Sequence, residues 1–537
     1  MQSALNKQRD SRLAQKAANG AVDGAMSKTV NSQVNGTVNE SRARLAALLE
    51  RIASIANGPR RGVALVALAL VTVSCREAPN SGAVPAATLS SSTAPNAVGS
   101  TPSRSAASTR SSTPPRDGAR PNSATAGSDA AAAKHALRTT SPAVALENFR
   151  AQLANAERRA KTAPADLGAL SALVSAHLEQ ASRLGVLSSF ETADAASKRA
   201  LAAHPKNPAA HMLRASVYAA LHHFDEADRA LALAEKLGAP QGELEQARAT
   251  LAMARGHYDE AFASFDARAK SHGDTVSSTL LAICLGHMQR TAESDAKFEA
   301  ATEAFHDTSP FVLAWVEFER GAMWERAGDE ARARQYYRQA VTRLPAFAHA
   351  VGHLAALLPP AEAKTLLEGV ARTSDDPEYL ATLATVEDAL AAGSGRAHRE
   401  EAARGYEVLM KKYPLAFADH AGWYYLNVAK DAEHAVTVAA QNLRNRRSSQ
   451  AFELMIAAET AAALGPEACE HADEALALPY VSRGVVEAAL GAYRACGTAA
   501  RAEELDRELA RRTEATRVAA AARPATAGAS ATAAAAP

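Results

Sequence analysis

From Ser141 onward the apolar residues fall in paired helical blocks, and the pairs recur. The clearest phase marker is an alanine in the second block of each pair: Ala193, Ala227 and Ala261 stand 34 residues apart. The surrounding sequence repeats with them, as His223-Phe-Asp-Glu-Ala227, His257-Tyr-Asp-Glu-Ala261 and later Gly328-Asp-Glu-Ala-Arg-Ala333. A two-helix unit of this length cannot bury both of its faces alone, so the period predicts stacked hairpins that gain cohesion from their neighbours. Continuing the phase gives markers at Ser294, Ala333, Ala363, Ala402, Ala435, Ala468 and Ala502, about ten units in all. The spacing drifts where Gly393-Ser-Gly395 lengthens one turn and Pro359-Pro360 shortens another. The pattern predicts an all-α solenoid over residues 141–513. Ser141 to Lys161 would lead it as a capping helix, and Thr498 to Arg512 would close it.

These units resemble the tetratricopeptide repeat. Residues 321–345 show it best: Gly321 and Trp324 on the first helix (A), Gly328 at the turn, Ala333, Tyr337 and Ala340 on the second (B), and Pro345 at the end. Small residues at the crossing let antiparallel helices approach closely. The resemblance implies a right-handed superhelix whose A helices line a concave face that holds a peptide or protein. The second, fifth and ninth A-helix positions would point into it: Ala209, Met212 and Ser216; Glu243, Gln246 and Thr250; Trp315, Phe318 and Ala322. The family's carboxylate clamp needs Lys, Asn and Arg at such places and is absent, which disfavours chaperone-tail recognition. Trp315 and Phe318 are candidate partner anchors, with His349, His353 and Tyr425 on the same side. The competing reading is that these aromatics fill gaps between irregular units, as Trp324 does.

Composition agrees with an all-helical body. Hydrophobic residues are 47% but aromatics only 5%, and much of the apolar fraction is alanine. The net charge of +1 conceals a division: residues 1–140 carry +10 and the remainder −9. An acidic array makes nucleic acid an unfavoured partner and a basic or envelope protein a better one. Residues 76–140, rich in Ser, Thr, Ala and Pro, bury too little to order themselves and read as a disordered tether spanning roughly 40–50 Å. Residues 514–537 read as a disordered Ala-rich tail.

Before the tether, Arg60 and Arg61 precede an uncharged run, Gly62 to Ser74, that is too short to span a bilayer. It ends in Thr72-Val73-Ser74-Cys75, which resembles a bacterial lipobox, so residues 60–75 are expected to be a signal sequence with Cys75 lipidated. Arg76 after it would permit outer-membrane sorting. Residues 1–59 form an unusually long leader, and the true start lies open between Met1 and a later methionine such as Met26.

Catalytic motifs are missing from the sequence: there is no GxSxG elbow, no Gly-rich phosphate loop and no paired CxxC. His349 and His353 share a helix face, but two ligands do not make a metal site. No cofactor or metal is expected. Cys469 opens the second helix of one unit and Cys496 ends the first helix of the next, which brings their thiols together. In an oxidising compartment their disulfide would contribute roughly 3–4 kcal/mol. Cys284, among apolar neighbours, reads as a buried thiol. The expectation is a non-catalytic scaffold, lipid-anchored at the bacterial cell envelope, binding a protein on its concave face. Two alternatives stand beside it: a cytosolic adaptor with an accidental signal-like segment, and an envelope enzyme whose site would need titratable groups converging in the groove, His420 being an isolated one.

Overall fold

The computed structural model of the chain describes residues 139–521, with side chains to 518. Residues 1–138 and 522–537, and with them the predicted leader, the lipobox with Cys75 and most of the tether, lie outside the described residues. A leading helix, α1 (Pro142–Thr162), is followed by ten antiparallel hairpins. Their A and B helices are α2 (Leu167–Leu184) with α3 (Ser189–Ala203), α4 (Pro208–Ala220) with α5 (Phe224–Lys236), and α6 (Gln241–Arg255) with α7 (Tyr258–His272). Next come α8 (Thr275–His287) with α9 (Thr291–Glu303), α10 (Pro310–Arg326) with α11 (Glu330–Arg343), and α12 (Ala348–Ala356) with α13 (Pro360–Ala371). The last four are α14 (Pro377–Leu390) with α15 (Arg396–Lys412), α16 (Ala418–Tyr424) with α17 (Ala432–Asn445), α18 (Ser449–Ala461) with α19 (Gly465–Leu476), and α20 (Arg483–Ala495) with α21 (Ala499–Ala521). All ten phase markers fall on B helices and are buried. The described chain is a tetratricopeptide-like α-solenoid.

Local chemistry sets the phase of each unit. A helices start on capping side chains: Asp166 accepts from the Ala169 amide at 2.7 Å and Asp274 from that of Ser277 at 2.7 Å. Asn207, Asp376, Ser448 and Ser482 cap four more, each cap contributing about 1 kcal/mol. The A–B turns use a left-handed residue at Gly185, His222, Gly256, Gln289, Gly328, Gly393, Lys430, Ala463 and Gly497. Only the hairpin turned by Pro359-Pro360 does without one. Within a hairpin the crossing is close: a Cβ added at Gly321 would lie 2.7 Å from the Tyr337 ring.

Early hairpins also touch late ones. The A–B turns of the first half dock on loops of the second half, five to six units further along. Gly185 accepts from the Ser374 hydroxyl at 2.6 Å and from the Asp375 amide at 3.2 Å, while Asp375 accepts from the Leu187 and Ser188 amides. His222 meets Leu415 and Asn445, and Gly256 lies against Arg447 and Ser448. Gly328 packs on Arg483, and Thr516 on α21 donates to the Ala327 carbonyl at 3.2 Å. At the start of the array, the Phe149 ring on α1 lies tilted 5.4 Å from that of Phe311 on α10. Successive turns of the superhelix are therefore in contact, and the hollow expected along the A helices is sealed over its middle.

Burial records the closure. α8 has twelve of its thirteen residues buried, whereas its partner α9 buries only Ser294, Asp295, Phe298 and Ala301. An inner helix covered on all sides and an outer helix covered on one face are the two patterns of a closed two-layer wall. The closing helix also differs from expectation. Residues 514–521, expected as tail, continue α21, because alanine favours helix and Arg517 pairs with Glu514 at 2.7 Å.

Gly256→Ala is expected to destabilise the chain by about 1–3 kcal/mol, since a side chain must take a left-handed φ of 92° and push on the Arg447 carbonyl at 3.0 Å. Gly491→Ala, in α20 with nothing within 4 Å, is expected to be neutral or stabilising by a few tenths of a kcal/mol to about 1 kcal/mol. Urea denaturation of the two variants checks the pair.

Candidate functional site

The residues expected to line an open concave face divide by depth in the array. Ala209 is exposed and Met212 half-buried, but Ser216, Gln246 and Thr250 are covered, and Trp315 and Phe318 are 0% and 1% exposed. The expectation that Trp315 and Phe318 form an accessible anchor is corrected by this burial. Residue-packed turns of the superhelix close over α10, so the two aromatics are core side chains, like Trp324. His349 and His353 are corrected in the same way, at 7% and 3% exposed. The structure does bring three of them together: Phe318 lies 5.3 Å from His353 and 6.2 Å from His349, with Phe347 and Tyr337 completing the cluster. Tyr425 is elsewhere, half-buried on a π-helical turn (Tyr425–Ala429) after α16, stacked on His434 at 5.3 Å.

What occupies the interior is charge. Arg183, at the end of α2, lies between Trp315 and Phe347, its guanidinium carbon 5.5 Å and 5.3 Å from the ring centres. Among the described residues none accepts a hydrogen bond from it. Cation–π contact and the nearby Glu179 and Glu319 carboxylates are its compensation. Burial raises the Glu319 carboxyl to about 7, against the pull of Arg326 and Arg183, while Trp315 donates its indole N–H to Glu319 at 3.0 Å. His349 Nδ1 faces the Ser182 carbonyl at 3.0 Å, and His353 Nδ1 the Glu325 carboxylate at 2.7 Å. The two histidines thus turn to different partners. Among the described residues no group of three or more His, Cys, Asp or Glu side chains is arranged to hold a metal ion.

A second buried cluster, not anticipated as a set, joins α14, α16 and the α17–α18 loop. Arg446 donates to Asp419 Oδ2 at 2.5 Å and to Asn442 Oδ1 at 3.0 Å. His420 Nδ1 lies 2.8 Å from Glu378 Oε2, and its Nε2 lies 3.9 Å from Asp419 Oδ1. Burial alone would raise the Asp419 carboxyl, but Arg446 and the neighbouring histidines outweigh it and hold it at about 2. The motif Asp419-His420 was visible in the sequence; its partners, 42 residues before and 27 after, were not. The carboxylates, imidazole and guanidinium resemble a catalytic constellation in content only. Every member is buried, and Asp419 and His420 hold each other's neighbours in place.

Cys469 on α19 and Cys496 just after α20 are joined by a disulfide, which ties the ninth hairpin to the tenth. Cys284 is buried on α8, its sulfur 3.5 Å from the Tyr258 carbonyl, and burial pushes its thiol up to about 12. It is therefore not a reactive thiolate.

Arg446→Met is expected to cost about 3–5 kcal/mol at pH 7, because it leaves Asp419 buried and unpaired. The Asp419 pKa is lower in the folded chain than its usual 3.8. The pair's contribution is therefore present above that value and is lost as pH falls toward about 2. Urea denaturation across pH should show the difference between variant and parent shrinking below pH 4.

No protein-family model matches the chain, and the comparison with curated proteins finds no match. Among solved structures it is similar to YrrB, described as a TPR protein with an unusual peptide-binding site: 17% identity, 36% of this chain and 95% of that one, TM-score 0.22. It is also similar to the TPR domain of P58(IPK), with 12% identity over 66% and 96% of the two chains and a TM-score of 0.18. Human IFIT1 with m7Gppp-AAAA is a third, with 14% identity over 65% and 90% and a TM-score of 0.35. Likenesses at this level say nothing of what this chain binds, and the assignment of the fold rests on its own ten hairpins.

Proposed function

We propose that the chain is a non-catalytic scaffold, held at a bacterial cell envelope by acyl chains on Cys75 and presenting its helical array to a protein partner. The observation that supports a scaffold is the closure of the superhelix. A wall of hairpins whose turns are locked together by side chains from distant units is a rigid body, and rigid surfaces bind at low ordering cost. In the closed state a partner meets the B helices and the loops rather than the covered A helices. The short apolar run before Cys75, with the Arg60-Arg61 pair, supports the tether. Among the described residues no helix is long and apolar enough to cross a membrane.

The enzyme reading would draw on the Glu378–His420–Asp419–Arg446 cluster. Those groups are buried in the closed superhelix, and Arg446 already occupies Asp419. The cluster is better read as the fastening of late hairpins.

Full-length chain expressed in a bacterium with a clickable fatty-acid analogue is expected to be labelled at Cys75 and to sediment with the envelope. Cys75→Ser should lose both properties. Unlabelled protein recovered in the cytosol would instead favour the adaptor without an anchor.

A further inference from the structure

Closure of the superhelix uses one edge of each half of the array. A–B turns of the first five hairpins dock on loops and helix starts of the last five. A Cβ added at Gly185, Gly256 or Gly328 would lie 2.6, 3.0 or 2.9 Å from Ser374, Arg447 or Arg483. The opposite edge of each half is bare. On one side are the A–B turns of the last five hairpins, residues 357–359, 391–395, 430–431, 462–464 and 496–498. On the other are the loops after α1, α3, α5 and α7, residues 163–166, 204–207, 237–240 and 273–274. Among the described residues, no hydrogen bond joins either set to a distant hairpin. A Cβ added at Gly393 or Gly497 on the turns, or at Gly238 or Gly273 on the loops, would meet nothing within 4 Å.

The bare turns carry the same chemistry as the docked ones. Arg290 and Asp329 are the only Asp, Glu, Lys or Arg in the five first-half turns, and Lys430 and Asp431 the only ones in the five second-half turns. Leu390 and Leu464, at two of the bare turns, are nevertheless 49% and 37% exposed. At the bare loops Leu237 is 37% exposed, with Leu233 one helical turn before it at 47%. Beside it the loop of residues 203–208 lines a surface hollow of about 470 Å³. Large apolar side chains left in water along both edges mark contact surfaces.

We propose that the two bare edges join copies of this chain head to tail: the second-half A–B turns of one copy sit on the first-half loops of the next. The seam inside the chain identifies the occupant. It already seats a nearly uncharged row of A–B turns on a row of loops, and a second copy offers the matching row with the same spacing and curvature. The superhelix then continues from chain to chain. Because the two surfaces differ, the contact is heterologous: every copy carries one of each, and growth stops only when a ring closes or an edge is blocked. The sealed A-helix face takes no part. This joint goes beyond the scaffold reading and stands without it.

Sedimentation velocity on the full-length chain carrying Cys75→Ser, so that no acyl chain drives association, tests the joint. Its average size should rise with concentration past the dimer. Leu390→Arg blocks the turn edge and Leu237→Arg the loop edge, both at exposed positions where helical content should not change. Each variant alone should be monomeric. An equal mixture of the two should form a one-to-one dimer and nothing larger, because one intact edge of each kind remains. A parent that is monomeric at every concentration, a dimer that Leu237→Arg leaves intact, or a mixture that stays monomeric would each overturn the joint. A second measurement needs neither edge variant: lysine cross-linking of mixed isotope-labelled and unlabelled chains should join Lys430 of one copy to Lys206 or Lys236 of another. Links between Lys430 of one copy and Lys430 of another would mean a symmetric pair through the turns, and would refute it.

Discussion

The contact between turns that lie five to six hairpins apart is the constraint on which the rest of this structure depends. In a solenoid each unit ordinarily needs only its neighbours. Here Gly185, His222, Gly256 and Gly328, all at A–B turns, rest against loops contributed by the far half of the chain. That second set of contacts converts an open spiral into a closed wall. It also changes what the A helices are: no longer the lining of a groove, but the inner layer of a core.

Sealing the inner face puts charges where they must be compensated without bulk water. Arg183 is held by two aromatic faces, Arg446 by Asp419, and Glu319 by the Trp315 indole. Such groups contribute little net stability compared with apolar residues of the same volume, but removing one partner leaves the other buried and uncompensated. Arg183 makes the register of one turn against the next specific, because it reaches from the first hairpin to Trp315 and Phe347, whereas the Arg446–Asp419 and Glu319–Trp315 pairs fasten groups within one unit. The disulfide between Cys469 and Cys496 acts at the far end of the array, where it ties the ninth hairpin to the tenth.

The hairpins were legible because their signal is local. Ten small residues at the B-helix crossing, capping side chains and turn glycines all lie within one repeat. Closure was not legible in the same way, since His222 and Leu415 or Gly256 and Arg447 are brought together by the accumulated rotation of several units. One hint was present. Thr279-Leu-Leu-Ala-Ile-Cys-Leu285 and Phe311-Val-Leu-Ala-Trp315 are apolar on every side, and a helix lining an open groove has a polar face. The aromatics at Trp315 and Phe318 were read as anchors from their position in the repeat, whereas their depth depends on the turn above them. The buried Glu378–His420–Asp419–Arg446 set was hidden for the same reason: its members come from three elements that meet only in the fold.

Glu191 on α3 and Lys412 on α15 form an ion pair across the two turns, which makes them the most direct probe of closure. In the full-length chain, a zero-length carbodiimide at neutral pH should couple the Glu191 carboxylate to the Lys412 amine within one molecule, mapped by mass spectrometry, with helical content unchanged. A folded, helical chain in which residues 191 and 412 never cross-link within one molecule would mean that the superhelix stands open and its inner face is not sealed.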